Sequence, residues 1–154
     1  MRIRVVGIGS DFGDDAAGPR VVALLAARGA LPEDVEAVRC SRPIELVDLL
    51  EGFDGAVLVD ATVSGRPPGT VHEPALDELC EARPVSSHGL GVREALSMAK
   101  ALGRAPERIA IVGVEALSTS GPDVSAPVRE ALERAAAAVR GRCDAWRASA
   151  RGRP

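Results

Sequence analysis

Aromatic residues are almost absent from this chain of 154 residues, which has two phenylalanines, one tryptophan and no tyrosine. The core must therefore be built from Ala, Val, Leu and Ile, and the stacking platforms that hold single-stranded nucleic acid are missing. Strong positive charge is lacking too, because the formal net charge is −3. A chain without a basic field does not collect phosphate groups over its surface. Nucleic acid is therefore not an expected partner.

Cysteines are few, and long apolar runs are missing. The three cysteines, Cys40, Cys80 and Cys143, form no Cys-x-x-Cys pair, so neither a disulfide framework nor a thiolate zinc site is predicted. The longest apolar run, Val21 to Ala27, is far shorter than the roughly 20 residues that span a bilayer. The chain also enters a strand pattern at once, which leaves no room for a secretory signal. We therefore expect a cytoplasmic protein without a membrane segment.

Short apolar segments rich in β-branched residues alternate with longer segments of helical periodicity. Strands are predicted over Ile3–Ile8, Val35–Cys40, Ala56–Asp60 and Ile109–Val114, with a short edge strand at 70–72. Helices are predicted at about 21–28, 44–50, 90–102 and 127–139. This order is typical of a parallel sheet with helices on both faces. The predicted fold is therefore α/β, a three-layer αβα sandwich with a mostly parallel twisted sheet of about five strands.

The length of the chain matches one domain. We expect that domain to cover residues 1–146, since no linker or internal repeat interrupts them. Residues 147–154 contain three arginines and almost nothing apolar. A frayed tail is predicted there because the segment has little to bury.

The first strand leads into Gly7-Ile8-Gly9-Ser10-Asp11-Phe12-Gly13-Asp14-Asp15. Glycines between a strand and a helix are typical of a dinucleotide site, but here three carboxylates, Asp11, Asp14 and Asp15, would face the phosphates. A divalent cation suits the cluster better, because such ions take carboxylate oxygens together with imidazole. The alternative is that Asp14 or Asp15 only caps the helix and complements its dipole.

Two further candidate ligands follow later strands. Asp60 ends the third predicted strand, and His88 lies in the loop before the third helix. Because open α/β sheets bind ligands at the carboxyl ends of their strands, Asp15, Asp60 and His88 can share one edge. Two carboxylates and one imidazole form an open metal site whose remaining positions take water or substrate. For Asp60, an equally weighted alternative is that it only organises its loop. The other histidine, His72, lies in the predicted edge strand and is interpreted as a surface residue.

At these positions the chain resembles the hydrogenase maturation endopeptidases, nickel-dependent proteases that trim the C-terminal extension from the large subunit of nickel-iron hydrogenases. The similar segments, in order, are Gly7-Ile8-Gly9, Asp14-Asp15 with Gly18, Val59-Asp60-Ala61, Pro68-Gly69-Thr70, Ser87-His88-Gly89-Leu90-Gly91 and Val112-Gly113-Val114-Glu115. The resemblance implies a phosphorylase/hydrolase-like peptidase domain in which Asp15, Asp60 and His88 bind the metal. It also implies a monomer that meets the large-subunit precursor transiently, with nickel delivered in that substrate and replaceable in vitro by other divalent metals.

Three features depart from the family's pattern. Ser10 stands where relatives usually have Asn, and Asp15 stands where many have a larger acid. The shorter side chain of Asp15 would bring the metal closer to the helix or reach it through water. Cys40-Ser41-Arg42-Pro43 replaces a Gly-Gly-Thr loop that is thought to help hold the substrate, so the partner or the selectivity is expected to differ.

The resemblance leaves the chemistry open. Nickel would act as a Lewis acid or water activator, or it would only tether the substrate while a carboxylate such as Asp14 acts as general base. The resemblance thus implies an aspartic-type endopeptidase whose candidate catalytic residues are Asp14, Asp15, Asp60 and His88. A covalent acyl-enzyme is not expected, since neither a Gly-x-Ser-x-Gly motif nor a reactive cysteine is present.

Two other functions remain open. One is a non-cleaving accessory protein or chaperone that binds the nickel site of a metalloenzyme subunit. The other is a Rossmann-type nucleotide-binding module in which Gly7, Gly9 and Gly13 line the phosphates.

Overall fold

The computed structural model describes residues 1–29, 31–76 and 91–152. Within them the strands are β1 Ile3–Ile8, β2 Val35–Cys40, β3 Gly55–Thr62, β4 Val71–His72 and β5 Arg108–Glu115. The α-helices are α1 Ala17–Ala27, α2 Leu46–Leu49, α3 Val92–Ala101 and α4 Ala126–Arg151. Two 3₁₀ turns, Gly13–Ala16 and Pro43–Glu45, lead into α1 and α2. No helix in these ranges is long and apolar enough to cross a membrane.

The strands form one sheet in the order β2-β1-β3-β5-β4. The first four strands of this order are parallel, and only β4 pairs antiparallel, through Val71 and His72 with Val114 and Gly113 of β5. The predicted three-layer α/β fold with a mostly parallel sheet is therefore confirmed. Because β1, β2, β3 and β5 run in the same direction, the segments that follow them meet at one edge, called the carboxyl edge below.

Alternate residues of the strands face opposite helical layers. On one face, side chains such as Val5, Val57 and Val112 pack with α1 and α4. On the other face, Leu58 and Ile111 pack with α2 and α3. Asp60 follows Leu58 by two residues, so it lies at the carboxyl end of the β3 face that packs against α2 and α3.

Helix α1 packs against the sheet with almost no space between the backbones. A Cβ atom added at Gly18 would lie 2.4 Å from the carbonyl oxygens of Ile8 and Val59. One added at Gly7 would lie 2.4 Å from the carbonyl oxygen of Gly18. This close approach places the start of α1, and with it Asp15, directly over the ends of β1 and β3.

The C-terminal helix is longer than its sequence pattern predicts. It continues to Arg151, where the prediction ended the helix at Val139 and the ordered domain at Trp146. Arg147 forms an ion pair with Asp34 at 3.0 Å, and the Trp146 ring lies so close to Gly55 that an added Cβ would be 2.9 Å away. The prediction of a frayed tail is wrong for 147–151, because contacts with distant segments hold a stretch that has few apolar residues of its own.

Candidate active site

The loop after β1 folds back on itself at Gly9. This residue has φ of 137°, and an added Cβ would lie 1.9 Å from the carbonyl oxygen of Asp15. Its N–H donates to the carbonyl oxygen of Cys40 at 3.1 Å, which joins the loop to the end of β2. Gly7 and Gly9 thus serve close backbone packing, and this explains the Gly-x-Gly pattern without a phosphate ligand.

Asp15 is held by the backbone of the same loop. The N–H of Ser10 donates to Oδ2 of Asp15 at 2.8 Å, and the Ser10 hydroxyl accepts from the N–H of Phe12 at 3.3 Å. The Asp15 side chain is partly buried. Because a backbone N–H holds the carboxylate, the departure at Ser10 leaves this contact available.

Asp60 lies close enough to Asp15 for their charges to interact. Burial and, second to it, the negative charge of Asp15 raise the pKa of Asp60 to about 8, although a hydrogen bond from the backbone of Ala61 lowers it. Two carboxylates that oppose each other's ionisation would both be stabilised by a bound cation. The donor set at this position therefore fits a divalent metal.

The third predicted ligand, His88, lies outside the described residues, and its role stays a prediction. Among the residues that the structure does describe, no three His, Cys, Asp or Glu side chains come together to hold a metal ion. Asp11, the third acid of the loop, is exposed and pairs with Arg39 of β2. The described part of the site thus consists of Asp15 and Asp60.

Asp14, the neighbour of Asp15 in the chain, has a different environment. Its side chain is fully buried, and its oxygens accept four hydrogen bonds of 2.7–2.9 Å from the N–H groups of Leu117, Ser118 and Ser125 and the hydroxyl of Ser125. Burial alone would raise the pKa of Asp14, but these bonds outweigh it and lower the pKa. The geometry argues against the general-base role suggested for Asp14 and favours a structural role, in which it fastens the loop after β5 to the start of α1.

Replacing Asp14 by asparagine is expected to lower the free energy of unfolding by about 2–4 kcal/mol, because an amide group would face donors and a buried acceptor would be lost. The pKa of Asp14 is lower in the folded than in the unfolded chain, so its stabilising contribution is present at neutral pH and is lost as the pH falls below about 4. Urea unfolding of both proteins between pH 3 and 7 measures this. Unchanged stability together with lost peptidase activity would restore the general-base role.

A second buried carboxylate, which the sequence analysis did not single out as functional, lies at the end of β5. Glu115 is 2% exposed and accepts hydrogen bonds of 2.6–2.9 Å from the hydroxyl of Thr62, the N–H and hydroxyl of Ser64, and the N–H of Gly65. Burial would raise the pKa of Glu115, but these bonds lower it. Glu115 thereby fixes the segment that follows Asp60. The position of Glu115 at the end of the apolar strand β5 was the sequence feature that could have predicted this role.

His72 belongs to this buried cluster. Its side chain is 12% exposed, and its Nε2 atom lies 2.8 Å from the hydroxyl of Thr62. The interpretation of His72 as a surface residue is therefore wrong. A two-residue edge strand gave no sign of the burial, because the side chain is covered by the ends of β3 and β5.

The two cysteines within the described ranges are not poised to react. Cys40 and Cys143 are free and buried. Burial raises the pKa of Cys40 to about 12 and that of Cys143 to about 11. Both thiols stay protonated at neutral pH, so neither supplies a thiolate nucleophile.

Fold and site together define a class of protein: a three-layer α/β domain with a pair of interacting carboxylates, Asp15 and Asp60, at the carboxyl edge of a mostly parallel sheet. The family model of the hydrogenase maturation proteases, HycI, matches residues 19–141. The chain belongs to this family, as its sequence motifs predicted, and it is a hydrolase of the peptidase class.

Individual relatives agree in sequence and in structure. Hydrogenase 2 maturation protease of Escherichia coli is 34% identical over 154 residues, covering 91% of this chain and 92% of its own length. The hydrogenase expression/formation protein HupD of Bradyrhizobium diazoefficiens is 30% identical, covering 85% and 72%. The hydrogenase maturating endopeptidase HybD of E. coli superposes with a TM-score of 0.76 at 29% identity, covering 90% of each chain. The resemblance thus extends over most of the domain.

Proposed function

We propose that this chain removes the C-terminal extension of a nickel-iron hydrogenase large-subunit precursor after nickel insertion. Asp15, Asp60 and His88 would bind the nickel that the precursor holds. The observation that carries the proposal is the pairing of Asp15 with Asp60 at the carboxyl edge, in a chain of the maturation protease family. Relatives named as hydrogenase 2 maturation protease and hydrogenase maturating endopeptidase support the reaction class.

The pairing of the two carboxylates explains why the metal would come with the substrate. Asp60 is held near Asp15 at a cost in free energy, because burial disfavours its charge. A cation presented by the substrate relieves this cost only when the substrate is in place. A precursor without nickel would lack that attraction, and its scissile bond would not be brought near the carboxylates. The site would thereby act as a checkpoint for metal loading.

Hydrolysis by water fits the described residues better than a covalent intermediate. Cys40 and Cys143 are buried and protonated, and Asp14 is engaged by four hydrogen bonds. Of the described residues, Asp15 and Asp60 would both bind the nickel and hold a water molecule near the scissile bond.

Intact mass spectrometry of a nickel-loaded and a nickel-free large-subunit precursor, each mixed with this protein, tests the proposal. Loss of a C-terminal peptide from the loaded precursor alone is the expected result. His88→Ala should abolish that loss, because it removes one of the three nickel ligands. It should leave the circular dichroism spectrum unchanged, because a histidine in a predicted loop contributes little to a core. Normal cleavage by this variant would contradict the ligand assignment. Tight binding of the loaded precursor without any mass change would favour the non-cleaving accessory function.

A further inference from the structure

Among the described residues, three large apolar side chains are exposed in the segments that follow β1, β3 and β5. Phe12 is 65% exposed, Val63 is 45% exposed and Leu117 is 60% exposed. These three strands meet at the carboxyl edge. We name these three residues the apolar rim.

Hydrogen bonds between the loops show that the rim residues belong to neighbouring segments. The N–H of Leu117 donates to Oδ2 of Asp14 at 2.8 Å. Asp14 lies two residues after Phe12 in the chain. The turn at Gly13 lies so close to Thr119 that an added Cβ would be 3.0 Å from its carbonyl oxygen. These contacts hold the Phe12 turn against the loop that begins at Leu117.

Val63 is tied to the same loop from the other side. The N–H of Ala116 donates to the carbonyl oxygen of Thr62 at 2.9 Å, so the residues that follow these two, Leu117 and Val63, leave the sheet side by side. Phe12 also belongs to the loop that holds Asp15, because its N–H donates to the Ser10 hydroxyl at 3.3 Å and the Ser10 N–H donates to Asp15 at 2.8 Å. Through Phe12, the rim is thus joined to the loop that holds Asp15 at the carboxyl edge.

We propose that the apolar rim is the docking surface for an extended apolar segment of the hydrogenase precursor next to its scissile bond. This inference rests on the proposed function. Three side chains expose a few hundred Å² at most, whereas a stable protein interface needs about 800 Å² from each partner. The rim is therefore too small for a second copy of this chain and matches a short segment. Its position at the same edge as Asp15 and Asp60 would seat that segment as the nickel meets the carboxylates.

The double variant Phe12→Ser/Leu117→Ser tests the proposal, with Leu102→Ser as the matched control. Leu102 is 57% exposed and follows α3, which leads to the start of β5 and hence to the opposite edge of the sheet. The double variant should raise the KM for nickel-loaded precursor about tenfold or more, with kcat changed less than about twofold, because apolar burial contributes to binding alone. The control should match the wild type, and Phe12→Leu/Leu117→Met should restore the KM.

Binding of the loaded precursor, measured by titration calorimetry, separates the two proposals. An unchanged Kd for the folded double variant would overturn the rim and leave the proposed cleavage intact. Absence of cleavage by the wild type, with a Kd that weakens in the double variant, would instead refute the cleavage and support the rim. Sedimentation tests the other possible occupant, a second copy of this chain. If the wild type is a dimer and the double variant is a monomer, the rim serves self-association and its role in substrate docking is overturned.

Discussion

Replacing Asp60 by asparagine is expected to stabilise the metal-free protein while it abolishes nickel-dependent cleavage. Burial and the neighbouring charge of Asp15 raise the pKa of Asp60 to about 8. The folded chain therefore holds a proton that the unfolded chain has already released at pH above about 4. It follows that stability of the wild type falls as the pH rises from about 4 to 8. Asparagine has no charge to desolvate, so the variant should lack this fall.

At pH 8 the Asp60→Asn variant should gain of the order of 1–3 kcal/mol in free energy of unfolding. Its rate of cleavage of nickel-loaded precursor should fall more than about 100-fold, since the amide no longer supplies an anionic ligand. Urea unfolding from pH 4 to 8 and intact mass spectrometry measure the two effects. Asp123→Asn is the matched control, because Asp123 is exposed, and it should change neither. A variant that cleaves at the wild-type rate would exclude Asp60 as a ligand.

Replacing Gly9 by alanine should lower the free energy of unfolding by about 3–5 kcal/mol. The backbone there has a positive φ that disfavours any side chain, and the new methyl group would lie 1.9 Å from the carbonyl oxygen of Asp15. The loop must move to relieve this contact, so Asp15 would leave its place and cleavage would fall with stability.

The control for this substitution is Gly141→Ala. Gly141 lies within α4, and an added Cβ there meets nothing within 4 Å. This variant should gain about 0.5–1 kcal/mol, because alanine favours a helix over glycine. Urea unfolding of both variants measures the contrast. A loss below about 1 kcal/mol for Gly9→Ala would show that the loop adapts without the backbone approach seen here.

Asp14 and Asp15 are adjacent residues of the same type, but their side chains have different environments. Both acids precede a helix and either could cap it, and the resemblance makes Asp15 the ligand and Asp14 a possible general base. The structural role of Asp14 depends on Leu117, Ser118 and Ser125, more than 100 residues away in the chain. Their N–H groups engage Asp14 and leave Asp15 beside Asp60. The spacing of residues in the sequence could not predict this difference between Asp14 and Asp15, because the difference depends on which distant loop packs against the turn.

The sequence by itself determined the alternation of strands and helices, the bounds of β1 and β2, and the position of Asp60 near the carboxyl end of β3, because these follow from local periodicity and chain direction. The predicted strand ended at Asp60, whereas β3 continues to Thr62. Only the tertiary structure decided the burial of His72 and Glu115, the order of the tail up to Arg151, and the exposure of the apolar rim at the carboxyl edge. Each of these depends on contacts between segments far apart in the chain. Such contacts determine which polar groups are buried away from water, and burial shifts the pKa of a group and so its charge at neutral pH.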